Sequence, residues 1–256
     1  MKRILTALIL APIVTWVILW GTPDIFQVAV AVFASLCWFE FSQLVSPICY
    51  QIPRWAGYIP GLALLVTPGR SELLLLLTAF IAVIIAMRSS ELSDVLPSAG
   101  VFLFGIVYVF GSWKTAILLR EQSTAWLMFA IVINWIGDSA AMYVGKAFGK
   151  NKLAPTISPG KTWEGAIASL VVGSLGALAL LHYLSPQVDL LKAVCVAMAA
   201  NCAGQVGDLA ESAIKRGAGV KDSGSTLPGH GGWLDRVDSS LFSIPVVYAL
   251  YPWFGN

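Results

Sequence analysis

Apolar residues run along this chain in blocks separated by short polar breaks, and most blocks approach the roughly 20 residues that an α-helix needs to cross a bilayer. Such blocks lie near residues 4–20, 25–46, 71–88, 98–119, 125–147, 162–184, 188–214 and 237–254, with a shorter ninth near 55–68. The pattern predicts an all-α polytopic integral membrane protein of about nine transmembrane helices. Composition agrees: 57% of the 256 residues are hydrophobic and ten are tryptophan, which is too apolar for a water-soluble domain of this size. The opening MKRILTALILAPIVTWVILW has the basic start and apolar run of a signal peptide, but no small-x-small cleavage site follows it, so it reads as the first span.

The polar breaks orient these helices, because Lys and Arg concentrate on the cytoplasmic side. With nine spans and the N-terminus inside, the inner ends carry Lys2, Arg3, Arg54, Arg88, Lys146, Lys150, Lys152, Lys161, Lys215, Arg216, Lys221 and Arg236. The outer ends keep Arg70, Lys114, Arg120 and Lys192. Twelve against four favours a cytoplasmic N-terminus and an external C-terminus, with Tyr251 and Trp253 as interfacial anchors. Cys37, Cys49, Cys195 and Cys202 lack metal-ligand spacing and read as small buried hydrophobes.

The chain forms one membrane domain without internal repeats, yet its halves differ. Within residues 1–120 the spans are Leu, Ile, Val, Ala and Phe, and Glu40 is the one carboxylate deep in a span. That half is expected to be scaffold and dimer contact. Residues 121–256 carry Asn134, Asp138, Glu164, Asp208 and Glu211 within spans. Ionisable groups in a membrane cost a few kcal/mol each, so by default they mark a functional site.

Two acidic helix faces stand out. Asp208, Glu211, Ser212 and Lys215 follow i, i+3, i+4, i+7 spacing, and Asp235, Asp238 and Ser239 repeat its beginning. Between them runs RGAGVKDSGSTLPGHGGW, whose glycines let backbone N–H groups approach an anion that Lys215, Arg216, Lys221 and Arg236 would neutralise, while His230 either braces the turn or binds phosphate. An earlier loop, GKAFGKNKLAPTISPGKTWEG, adds Lys146, Lys150, Lys152, Ser158 and Lys161. Taken singly, an Asp–Lys pair on a membrane helix is often structural, and basic loops often only obey the positive-inside bias. Convergence of acids and basic Gly-rich loops on one side favours a phosphorylated ligand held with a divalent cation.

These residues carry a resemblance. SAIKRGAGVKDSGSTLPGHGGWLDRVD, residues 212–238, resembles the C-terminal signature of the phosphatidate cytidylyltransferases, or CDP-diacylglycerol synthases. Ser212, Lys215, Arg216, Lys221, Asp222, Pro228, Gly229, His230, Gly231, Gly232, Asp235, Arg236 and Asp238 fit the pattern. ISPGKTWEG resembles a second family block through Ser158, Pro159, Lys161, Thr162 and Glu164, with Gly160 where Lys is common. The likeness spans about residues 130–245.

The resemblance implies transfer of CMP from CTP to phosphatidate, giving CDP-diacylglycerol and pyrophosphate, in an inner-membrane homodimer whose site faces the cytoplasm. It implies Mg²⁺, with a second cation such as K⁺ in a paired centre, and Asp208 and Asp235 as ligands. Lys215 and Lys221 join those two acids as the expected catalytic groups. Ser158, Lys161, Glu164, Ser212, Arg216, Asp222, His230, Arg236, Asp238 and Asp138 are expected to bind substrate. The partners are CTP, phosphatidate and membrane lipid, with no nucleic acid. A CTP-dependent transferase or kinase acting on a polyprenol or ether lipid is the main alternative; an ion-coupled transporter would not need a Gly-His-Gly-Gly turn between paired acids. Nothing in the chain matches the Asp-Gly string of phosphotransferases that consume CDP-diacylglycerol.

Overall fold

The computed structural model describes residues 2–49, 51–68, 71–226 and 231–254. Eleven helices are present among them: α1 Lys2–Leu19, α2 Pro23–Leu44, α3 Tyr58–Val66, α4 Ser71–Ala86, α5 Val95–Gly105, α6 Ser112–Gln122, α7 Thr124–Phe148, α8 Trp163–Ala168, α9 Ser174–Leu184, α10 Leu190–Gly217 and α11 Asp238–Leu250. A two-stranded antiparallel hairpin, β1 Lys152–Ala154 and β2 Ser158–Thr162, joins α7 to α8. Arg70, Pro228, Gly229 and His230 lie outside the described residues.

Helix starts follow from local chemistry. Thr22 accepts from the Ile25 N–H ahead of α2, whose first residue is Pro23, and Asp189 accepts from the Leu191 and Lys192 N–H groups ahead of α10. Within α2 one face is buried through Phe26, Val30, Ala34, Cys37, Trp38 and Phe41. Trp38 meets Phe102 edge-on at 5.6 Å and Phe110 at 6.0 Å. The opposite face leaves Ile25, Val28, Val32 and Phe39 exposed. Exposed large side chains recur on nearly every helix, an outer surface that only lipid solvates. The chain is an integral membrane protein.

Among the described residues five helical runs are long and apolar enough to cross a membrane: Pro23–Leu44, Leu92–Gln122, Thr124–Phe148, Trp163–Leu184 and Leu190–Gly217. Leu10–Leu19 and Ser71–Ala86 are shorter apolar helices. The block expected at 55–68 yields only the nine-residue α3. At 1.5 Å per residue that is about 14 Å, roughly half the hydrocarbon thickness. Pro53 and Pro68 bracket it, and Thr67 is already extended. Cys37 and Cys49 are buried as expected, whereas Cys195 and Cys202 lie on the exposed side of α10, since its buried stripe runs instead through Ala193, Val196, Ala197 and Ala200.

Two long runs contain a π-helical turn, Ile106–Gly111 between α5 and α6 and Ser169–Gly173 between α8 and α9. Such turns free backbone carbonyls, and the Ser169 carbonyl accepts from the Asn201 Nδ2 amide at 3.1 Å. The same stretch crosses α7 closely: a Cβ on Gly173 would lie 2.8 Å from the Ile133 carbonyl oxygen, and one on Gly165 would lie 2.8 Å from that of Ala141. Small residues at such crossings permit the dense packing that membrane helices use in place of a hydrophobic drive.

The bundle has two chemically different ends. At one, Arg120 donates to the Ile18 and Gly21 carbonyls, Lys192 to the Trp253 carbonyl and the Tyr251 hydroxyl to the Gln122 carbonyl. Lys114 binds the Leu65 and Thr67 carbonyls at the close of α3. These cations satisfy helix C-termini. At the other end, the close of α7, the hairpin, the close of α10 and the start of α11 come together with the acids.

Candidate active site

Around Gly204 and Gly207, α10 packs against the start of α11. Contact this close depends on Gly207, where a Cβ would lie 2.6 Å from the Asp238 carbonyl oxygen and 2.9 Å from the Phe242 ring. Asp208 and Asp238 are thereby brought beside one another, and Asp138 on α7 joins them; Asp238 is within electrostatic range of Asp208, Glu211 and Asp138. A cavity of about 410 Å³ opens here, lined by Asp138, Asp208, Asp222, Asp235 and Asp238, by Lys161, Lys215 and Arg236, and on its apolar side by Met142, Leu153 and Ala166.

Lysines bridge the acids. Lys161, carried by β2, meets Asp208 at 2.6 Å across the cavity. Lys215 lies 2.5 Å from Asp235 and also pairs with Glu211, which is fully buried. Asp235 sits in the loop ahead of α11, and its second oxygen accepts from the Gly232 N–H at 2.7 Å and the Ser223 N–H at 3.0 Å. Burial works against its charge, but the Lys215 ammonium and those two N–H groups outweigh burial and hold the carboxyl below its ordinary range. Gly231 makes this geometry accessible: its φ is +76°, and a Cβ there would run into the Asp235 carboxylate.

The expected residues divide by position. Asp138, Lys161, Asp208, Lys215, Asp222, Asp235, Arg236 and Asp238 line the cavity. Ser212 sits beside it, its hydroxyl 3.5 Å from Asp208. Ser158, Glu164, Arg216 and Lys221 do not line it. Glu164 instead accepts from the Asn151 backbone and side-chain N–H groups and braces the hairpin that carries Lys161, while Arg216 donates to the Val220 carbonyl just past the end of α10. Lys221 is exposed on the loop.

One residue was not anticipated at this end of the molecule. Glu40, from the half read as scaffold, is buried and accepts from the Thr226 hydroxyl at 2.5 Å, the Leu234 N–H at 2.9 Å and the Ser223 hydroxyl at 3.1 Å. Its isolation in an apolar span was the available signal, because a carboxylate there needs donors from elsewhere.

The model of the cytidylyltransferase family matches residues 1–254. The chain belongs to that family. Relatives named phosphatidate cytidylyltransferase include those of Staphylococcus aureus (strain COL), 39% identical over 148 residues, and Bacillus subtilis (strain 168), 42% identical over 139 residues. These matches cover 58% and 54% of this chain, and 57% and 51% of the relatives' lengths. The chain thus aligns over little more than half of these cytidylyltransferases.

Hard carboxylate oxygens suit Mg²⁺, which usually takes one or two protein carboxylates and completes its shell with water and phosphate oxygens. Among the described residues no three acids, histidines or cysteines close into an all-protein cage, but five carboxylates lining one cavity supply the sparser set. The residues fit the metal.

Proposed function

We propose that this cytidylyltransferase joins CTP to phosphatidate, releasing pyrophosphate and leaving CDP-diacylglycerol in the membrane. The observation that carries the reading is the cavity at one end of an apolar bundle, where five aspartates and three cations face one space with an apolar side. Water-borne nucleotide and membrane-borne lipid phosphate can meet there, and the names of the relatives point to that pair of substrates.

A phosphate oxygen of phosphatidate is already a nucleophile, so no protein base is required. It attacks the α-phosphorus of CTP as the bond to the β-phosphate oxygen breaks. The protein's work is to align two polyanions and offset their charge. Asp208 and Asp235 are proposed to hold Mg²⁺, with Asp138 and Asp238 adjoining. When bound, Mg²⁺ supplies positive charge to the phosphate oxygens and the leaving pyrophosphate. Lys161 pairs with Asp208 and Lys215 with Asp235, so both lysines stand beside the proposed metal ligands, where their charge is available to phosphate. Arg236 adds a third cation.

The full assignment is a homodimer in the inner membrane, N-terminus and active site on the cytoplasmic side. Support for the orientation comes from the excess of Lys and Arg around the cavity end. Purified protein given phosphatidate and CTP labelled at either the α- or the γ-phosphate tests the reaction. Label on the lipid from the α-position supports cytidylyl transfer, and label only from the γ-position refutes it in favour of a kinase. Asp208→Asn and Asp235→Asn should each abolish Mg²⁺-dependent turnover in folded protein; substantial activity in either sinks its metal role.

A further inference from the structure

Glu40 joins the two halves of the chain behind residues 222–226 and 231–236, from which Asp222, Asp235 and Arg236 line the cavity. Its three donors come from both of those stretches: Ser223 and Thr226 follow Asp222, and Leu234 adjoins Asp235, and both of those acids line the cavity. Ser223 is held twice, its hydroxyl on Glu40 and its N–H on Asp235. Loop glycines lie flat on the same carboxylate, since a Cβ at Gly224 would lie 2.8 Å from Glu40 Oε1 and one at Gly232 would collide with Oε2. The loop is therefore docked on α2 through one buried acid as well as through the edge-on contact of Trp233 with Phe33 at 5.1 Å.

We infer that Glu40 is a positioning residue for nucleotide binding, clasping both ends of the loop so that Asp222, Asp235 and Arg236 face the triphosphate. A carboxylate with four acceptor sites can take three convergent donors, and buried hydrogen bonds of this kind fix geometry more than they add stability. Glu40 faces the loop from behind and does not line the cavity, so it touches no reacting atom. Misplacement of reacting groups by about 1 Å can lower a rate by about 100-fold, and loss of the clasp releases both loop ends together.

This inference rests on the cytidylyltransferase reading, so the experiment pairs an activity arm with an arm that needs no activity. Detergent-purified wild type, Glu40→Gln and Glu40→Ala are compared for KM and kcat with CTP and phosphatidate, and for the rate of tryptic cleavage at the exposed Lys221. The expected order is wild type, then Glu40→Gln, which keeps one acceptor oxygen, then Glu40→Ala. In Glu40→Ala, KM for CTP rises by about 10-fold or more, KM for phosphatidate stays within about twofold, and cleavage at Lys221 accelerates by about 10-fold. Wild-type CTP affinity and cleavage in Glu40→Ala would overturn the inference, as would lost activity with the loop still protected. Should Glu40→Ala not fold, Ser223→Ala removes one donor from the loop side; faster cleavage with a raised KM for CTP then supports the clasp, and wild-type values for both overturn it. An inactive wild type refutes the reaction, and the cleavage arm still reads the clasp.

Discussion

Replacing Lys215 by Met should destabilise the protein more than any other single change at the cavity. The side chain is buried and pairs with two carboxylates, Glu211 and Asp235. Asp235 keeps two backbone N–H donors after the loss and opens on the cavity, so its share is small. Glu211 is fully buried, and Lys215 is its one ion-pair partner among the described residues, so nearly all the penalty falls there. Breaking a buried pair by removing one partner costs about 3–5 kcal/mol, whereas replacing both partners by apolar groups is often close to neutral. Lys215→Met alone should therefore lose about 3–5 kcal/mol, and Lys215→Met with Glu211→Met should recover about 2–3 kcal/mol of it. Equilibrium unfolding in mixed micelles, followed by tryptophan fluorescence, measures the cycle. Additive losses, or a single-variant loss below about 1 kcal/mol, would refute the argument that Lys215 compensates Glu211.

Three further outcomes follow from other contacts. Gly232→Ala forces a methyl against the Ser223 hydroxyl and the Glu40 carboxylate, so turnover should fall by about 100-fold with little change in helix content by circular dichroism. The depressed Asp235 carboxyl contributes stability that is fully present above its unfolded value of about 4 and is lost as pH falls through its lower folded value; Asp235→Asn should flatten that acid limb in unfolding measurements from about pH 5 downward. Asn134 on α7 donates to the Ser243 hydroxyl of α11 at 2.7 Å and to the Ala130 carbonyl at 3.0 Å, so Asn134→Leu should lower stability by about 1–3 kcal/mol in the same micelle assay, leaving KM for CTP unchanged.

Local periodicity made the acidic half of the site legible in the sequence. Asp208 and Lys215 share a helix face, Asp238 opens the next helix, and a Gly-rich loop joins them, so their convergence needed only a hairpin of two helices. The same stripe carries Glu211, which points inward as that face requires but turns into protein beside Lys215 rather than into the cavity. Glu164 was expected to bind substrate but holds the hairpin through Asn151, because a side chain at the first turn of a helix can cap the segment before it as readily as it can face a ligand. The hairpin itself went unseen: its strands are three and five residues long, rich in Lys, Pro and Gly, and show no apolar alternation. Glu40 stood out as an isolated acid, but its partners could not be read, since they lie more than 180 residues away and no spacing rule connects them.

That separation matters while the chain is being made. The three donors of Glu40 stand 183, 186 and 194 residues downstream, so at about 5–20 residues per second α2 waits roughly 10–40 s before they are synthesised. Throughout that interval an acid worth a few kcal/mol of insertion penalty has no final partner in the bilayer. Nascent chains that end before residue 223 thus carry within the membrane a carboxylate that none of its final donors has reached.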